Sequence, residues 1–207
     1  MLDNMKLQIL SDLHIDSYAR QSHPVGHIPK TDADIVLVAG DTANSDKGMP
    51  WLQEQAARLE VPLITIAGNH EYFDEDVLSF DHKLATWDNY DTASKKGVRV
   101  LQCQHIDIGD IRLLGCTLWT DYQYHANEDT MAAARHFMRD YKQIYAGNEL
   151  FSPEVSMQIH AKHRQWLQQA LMESHELGKK TVVMSHHSVS ALSVSEKYAN
   201  LPSNAAF

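Results

Sequence analysis

Ile35-Val36-Leu37-Val38-Ala39-Gly40-Asp41 decides the fold. An unbroken apolar run with β-branched residues marks a strand buried on both faces, since a half-exposed strand alternates. Gly40 permits a tight turn, and Asp41 presents its carboxylate at the strand tip. Working outward, the same pattern recurs. Pro62 to Ala67 is a second buried strand, ending in Gly68-Asn69-His70-Glu71. Lys6 to Leu10 precedes Ser11-Asp12-Leu13-His14, and Lys180 to Ser185 precedes His186-His187. Val98 to Leu101, His105 to Ile108 and Ile111 to Leu118 read as further strands, with a hairpin turn at Gly109-Asp110. Helices are expected over Pro50 to Leu59, Asp76 to Tyr90 and Thr130 to Tyr141. Another opens at Ser152-Pro153-Glu154, with an N-cap serine, a first-turn proline and an acid on the positive end of the dipole. Its apolar stripe is Val155, Ile159, Trp166 and Ala170. Strands alternating with helices give an α/β class. Four clusters of metal-capable residues follow strands, where α/β sheets keep their sites.

Composition narrows the function. The 207 residues carry 18 Lys+Arg against 27 Asp+Glu, a formal charge of −9, which argues against a nucleic-acid partner that would need a basic face. Hydrophobic residues at 43% and charged residues at 22% exclude a disordered chain. No linker, repeat or low-complexity stretch splits residues 1–207, so one domain is expected. A chain of this length buries roughly 70% of its unfolded surface, so a metal would serve chemistry and not folding. Cys103 and Cys116 are too few for a disulfide framework and read as buried thiols. The N-terminus has an early acid at Asp3 and no basic segment, and Leu7 to Leu10 is too short for a leader or membrane span. A cytoplasmic location with no membrane partner is the expectation.

Each loop is ordinary by itself. Asp12 and His14, two apart in an extended segment, would point to one side. Asp41 follows a glycine at a strand tip, which also describes a plain turn. Asn69 offers a neutral oxygen and His70 a group that titrates near neutrality, although Gly-Asn is common in left-handed turns. Alternation would send only one of His186 and His187 into a site. Four such loops at strand ends, taken together, point to a metal centre.

The ordered set Asp12-x-His14, Gly40-Asp41, Gly68-Asn69-His70-Glu71 and His186 resembles the calcineurin-like metallophosphoesterase family. Steps of 29 positions from Asp12 to Asp41 and 28 from Asp41 to Asn69 fit its pattern. The resemblance implies a sandwich of two β-sheets flanked by helices. It implies two divalent metal ions, with Asp12 and His14 on the first, Asp41 bridging, and Asn69 and His186 on the second. It places His70 outside the metal shell as the catalytic group facing the leaving group. The implied reaction is hydrolysis of a small-molecule phosphomonoester or phosphodiester by a metal-bridging hydroxide. Mixed carboxylate, imidazole and amide donors suit Mn, Fe, Zn or Co.

Two departures stand out. The family's second motif continues Gly-Asp-x-x-Asp, whereas Asn44 stands here and brings no charge to His70; Asp46 and Glu71 are the alternative partners. The family's closing Gly-His-x-His does not appear in the 21 residues after His186, and the chain reads as C-terminally truncated. A free sheet edge and a homodimer are the corresponding expectations, and an inactive metal-binding or interaction module is the alternative function. An amidohydrolase would need His-x-His on its first strand and a longer barrel. Residues 119–151, rich in aromatics and arginine and including His125, read individually as packing and together as a cap over the metals. His160, His163 and His175 read as surface or packing histidines.

Overall fold

A computed structural model of the chain describes residues 5–20, 25–124, 128–194, 196–198 and 201–206. Strands β1 (Leu7–Leu10), β2 (Ile35–Val38), β3 (Leu63–Thr65) and β4 (Val98–Val100) form a parallel sheet in that order. Strands β5 (Gln104–Ile108) and β6 (Ile111–Cys116) form the expected hairpin. A small ribbon, β7 (Tyr145–Ala146) and β8 (Glu149–Leu150), stands apart, and β9 (Lys180–Ser185) joins β6 in parallel. The helices are α1 (Ile15–Arg20), α2 (Met49–Leu59), α3 (Phe80–Thr86), α4 (Glu128–Phe137), α5 (Asp140–Gln143) and α6 (Pro153–Glu176).

Alternation along the central strands explains why they read as continuous apolar runs. Ile35, Leu37, Ile64, Ile66 and Leu101 meet Leu113 and Met184 of the second sheet. Val36, Val38, Leu63, Val98 and Val100 meet the other core, which includes Leu52, Ala56 and Leu59 of α2. Both faces are covered, so no polar alternation survives. Gly115 lies where the sheets approach: a Cβ there would sit 2.7 Å from the Leu101 Cβ. The sandwich flanked by helices is thus as expected. Among the described residues the strand edges β1 and β9 each pair on one side only, and Ile9 on β1 is 68% exposed.

The structure departs from the periodicity in two helices. In place of a helix over Asp76 to Tyr90, α3 covers only Phe80–Thr86. Asp76 instead accepts bonds from Leu78 N, the Ser79 hydroxyl and Gly147 N, and Val77 N donates to Tyr145 O. Local side-chain acceptors of this kind compete with a helix. The helix expected over Thr130 to Tyr141 is two, α4 and α5. In α6, the Ser152 hydroxyl accepts from Val155 N as the sequence implied. Its buried face runs through Ser156, Ile159, His163, Ala170 and Ser174, while Trp166 is half-buried.

Of residues 119–151, Trp119, Tyr122, Tyr141, Ile144 and Phe151 are core residues, in line with the packing reading. His125 lies outside the described residues. Pro202–Ala206 forms a 3-10 turn with Ala205 and Ala206 buried; the Thr120 hydroxyl donates to Ala205 O. Cys103 and Cys116 are unbridged thiols. Among the described residues no helix is long and apolar enough to cross a membrane.

Candidate metal centre

The loops after β1, β2, β3 and β9 meet at one end of the sandwich. Asp12 N donates to Gly40 O, His14 N to Asp41 O and Ile15 N to Thr42 O, so the first loop is laced to the second beyond the strands themselves. Asp12, His14 and Asp41 all have positive φ, at 53°, 42° and 55°. The expected extended geometry for Asp12 and His14 is therefore corrected: their side chains converge through left-handed backbone. Such residues cost about 1–3 kcal/mol each and persist where the surroundings over-determine them. Asn69 is not in the left-handed turn; it lies at φ −73°, leading into a 3-10 turn over His70–Tyr72.

Glu71 supplies much of that over-determination. It is 6% exposed, and its carboxylate accepts from Asp41 N at 2.9 Å, Thr42 N at 2.7 Å and Gly68 N at 2.7 Å. One side chain thus clamps the second and third loops together. Two glycines let those loops touch. A Cβ on Gly40 would lie 2.5 Å from Gly68 N, and one on Gly68 would lie 2.2 Å from the Asp41 Oδ1.

Asp41 sits at the middle, 2% exposed. Its Oδ2 lies 3.6 Å from the His14 Nε2 and 3.8 Å from the His70 Nε2, while its Oδ1 lies 3.5 Å from the His186 Nε2. Asp12 approaches His14 at 3.9 Å. Among the described residues two donor groups are compact enough for an ion: His14, Asp41 and His70, and Asp12, Asp41 and His186. The division differs from the one the resemblance implies. Asp12 groups with His186, and the His70 Nε2 lies close enough to Asp41 and His14 to fall in a donor group as well.

Protons and amides are oriented from outside the cluster. The His186 Nδ1 lies 2.8 Å from Ala39 O, an acceptor, so that nitrogen carries a proton and Nε2 of the neutral ring is bare. The Asn69 Oδ1 faces that Nε2 at 3.1 Å, while its Nδ2 donates to the Asp140 Oδ1 at 2.7 Å. The His70 Nδ1 meets the Asn44 Oδ1 at 2.9 Å. Asn44 itself is therefore the partner of His70. Glu71 is engaged by backbone donors, and Asp46 pairs with Lys83. His187 points the other way, buried against Trp119, as alternation required.

The donor set fits divalent cations. Lone pairs of His186 Nε2, Asn69 Oδ1 and Asp41 Oδ1 converge with no hydrogen between them when the ring is neutral. Burial is the first cause pushing Asp41 and Glu71 up, each to about 7, and it also raises Asp140. Among the described residues no Lys or Arg forms an ion pair with these three carboxyls. Buried carboxylates without a cation are expensive, and a metal is the usual remedy. Burial, followed by His14 and Arg139, pushes His70 down to about 4. An open cleft of about 400 Å³, bordered by Asp12, Ser185 and His186, gives access. Sequence reasoning missed Asp140 altogether, since 71 positions separate it from Asn69.

Comparisons with known proteins bear on the fold and the family. The fold resembles the crystal structure of phosphopantetheinyl hydrolase from Mycobacterium tuberculosis, with a TM-score of 0.64 and 18% identity over 88% of this chain and 68% of that one. No curated protein matches the sequence. The model of the calcineurin-like phosphoesterase family matches residues 5–203. The chain belongs to the calcineurin-like phosphoesterase family.

Proposed function

We propose that this chain hydrolyses a small-molecule phosphomonoester or phosphodiester at a two-metal centre held by Asp12, His14, Asp41, Asn69 and His186. The observation that carries the reading is the position of Asp41. Its two oxygens face different imidazoles, Oδ2 toward His14 and His70 and Oδ1 toward His186, which is what a bridging carboxylate requires. Divalent metals bound there supply Lewis-acid polarisation of the phosphoester and a lowered pKa for water. Mixed oxygen and imidazole donors favour Mn, Fe, Zn or Co.

The residues have separate tasks. Asp41 holds the centre together from a buried position, and Glu71 fixes the backbone that presents it. His70 keeps a proton on Nδ1 against Asn44 and turns Nε2 toward the cluster, so Nε2 is the atom that exchanges a proton with the leaving group. The fold likeness to a phosphopantetheinyl hydrolase, at 18% identity, supports the fold and leaves the substrate open within phosphoesters. Residues 119–151, through Arg139 and its neighbours, border the same end of the sandwich and form the proposed cap of a single domain.

Asp41→Asn is the direct test. It should lose most bound metal, measured by elemental analysis after loading with Mn²⁺, together with hydrolysis of an aryl phosphate. Full metal content and an unchanged rate in the variant would show that Asp41 is not the bridge.

A further inference from the structure

Asn69 differs from every other proposed ligand. Imidazole and carboxylate present lone pairs by their nature, but a primary amide is two-faced: turned by 180°, it offers N–H bonds where an oxygen is needed. Nothing within Asn69 selects the orientation, and only an outside partner can.

Asp140 is that partner. Its Oδ1 lies 2.7 Å from the Asn69 Nδ2. A carboxylate only accepts, so it holds the amino group on its own side and turns the Asn69 Oδ1 toward His186 Nε2, 3.1 Å away. Asp140 is 2% exposed and meets no Lys or Arg as an ion pair among the described residues. A buried carboxylate in that state is costly unless it serves nearby positive charge.

The chain also holds Asp140 rigidly to the loop it orients. Asp140 opens α5, and Ile144 N donates to its carbonyl. Asp74 N donates to Gln143 O, Tyr145 N to Glu75 O and Val77 N to Tyr145 O. Residues 143–145 are thus bonded to residues 74–77, just beyond the Asn69 loop. Arg139 lies over the buried Phe73 ring, which also packs against the His70 ring. The helix expected to run through Tyr141 is broken at this point, and the second start at Asp140 carries the buried carboxylate that meets Asn69.

We propose that Asp140 is a positioning residue that fixes Asn69 as an oxygen donor to the second metal and so couples segment 119–151 to the metal centre. The proposal rests on the metal site described above. Outer partners of metal ligands are commonly worth 10–100-fold in affinity.

The test compares two kinds of substitution that both remove the charge. Asp140→Asn keeps an acceptor for the Asn69 amino group. Asp140→Ala, and the more space-filling Asp140→Leu, remove it. Calorimetric Mn²⁺ titration of the metal-free chain should show Asp140→Asn binding the second ion at least about fivefold tighter than either apolar variant. Repeating the comparison in an Asn69→Ala background should abolish the gap, because no amide remains to orient. Melting temperatures of the metal-free variants identify any that are misfolded, and the two apolar variants substitute for one another. Equal affinities for Asp140→Asn and the apolar variants overturn the proposal. So does a gap that persists without Asn69, which would show a merely structural effect. Absence of Mn²⁺ uptake by the unaltered chain overturns the metal site itself, a result distinct from either of these.

Discussion

At the scale of single residues, the contact of most consequence for the proposed catalysis is His70 Nδ1 with Asn44 Oδ1. Asn44 orients the ring but lends no negative charge, and burial with His14 and Arg139 holds His70 down at about 4. A general acid must carry its proton at the working pH, so activity falls as pH rises through its pKa. A carboxylate in place of Asn44 favours the imidazolium and moves that pKa up by roughly 1–3 units. Asn44→Asp should therefore shift the alkaline limb of kcat/KM to higher pH with an unactivated alkyl phosphate. The check is a full pH profile of both proteins. A limb that stays in place removes His70 from the acid role. The same residue scale shows why Glu71, within the motif, serves structure: three backbone N–H groups occupy its carboxylate.

At the scale of elements, α6 carries an acid-sensitive point. His163 is 6% exposed, its Nδ1 has no hydrogen-bond partner among the described residues, and burial pushes it down to about 4. His160 and Lys162 press in the same direction. The folded value lies below the ordinary value of 6.5, so the neutral ring is tolerated above pH 6.5 and stability is lost as pH falls toward 4. A shift of that size corresponds to roughly 3 kcal/mol once the unfolded ring is fully protonated. His163→Leu keeps the buried volume and has nothing to protonate. Its melting temperature should exceed that of the unaltered chain by a margin that widens from pH 7 to pH 4.5, by roughly 6–10 °C for a chain of this size. Thermal unfolding at the two pH values gives the answer; a constant margin would show that His163 is not the sensitive group.

At the scale of the whole molecule, the proposed metal centre would act as a clasp. It draws together the ends of three strands from one sheet and one strand from the other, so ions bound there tie the sandwich shut. Binding only the folded state at a hundred times Kd adds about 2.7 kcal/mol, or roughly 5–10 °C in Tm. The carboxylate form of Asp41 is required, and burial raises that group to about 7 in the metal-free chain. Protons therefore compete below pH 7, and Mn²⁺ should raise the melting temperature more at pH 8 than at pH 5.5. The experiment is a melting series with Mn²⁺ and with a chelator at both values. Equal stabilisation at both would place binding away from Asp41.

The sequence alone determined the sheet-and-helix alternation, the strand tips and the five proposed ligands. Those features are local: a run such as Ile35 to Ala39 is apolar throughout because both of its faces are covered, and Gly40 and Gly68 are required where backbones nearly touch. The N-cap at Ser152 was legible for the same reason. What tertiary structure decided is what depends on distant partners. The left-handed backbone of Asp12, His14 and Asp41 is held by bonds between separate loops; Asp and His tolerate that region better than most residues, but their type alone does not select it. The helix expected from Asp76 shrank because Gly147 and Tyr145 compete for its first turn. Asp140 read as one polar residue in a helix, yet it lies within 2.7 Å of Asn69. Pattern reports which face of an element is buried, whereas the orientation of an amide or imidazole depends on the one acceptor that the folded chain brings to it.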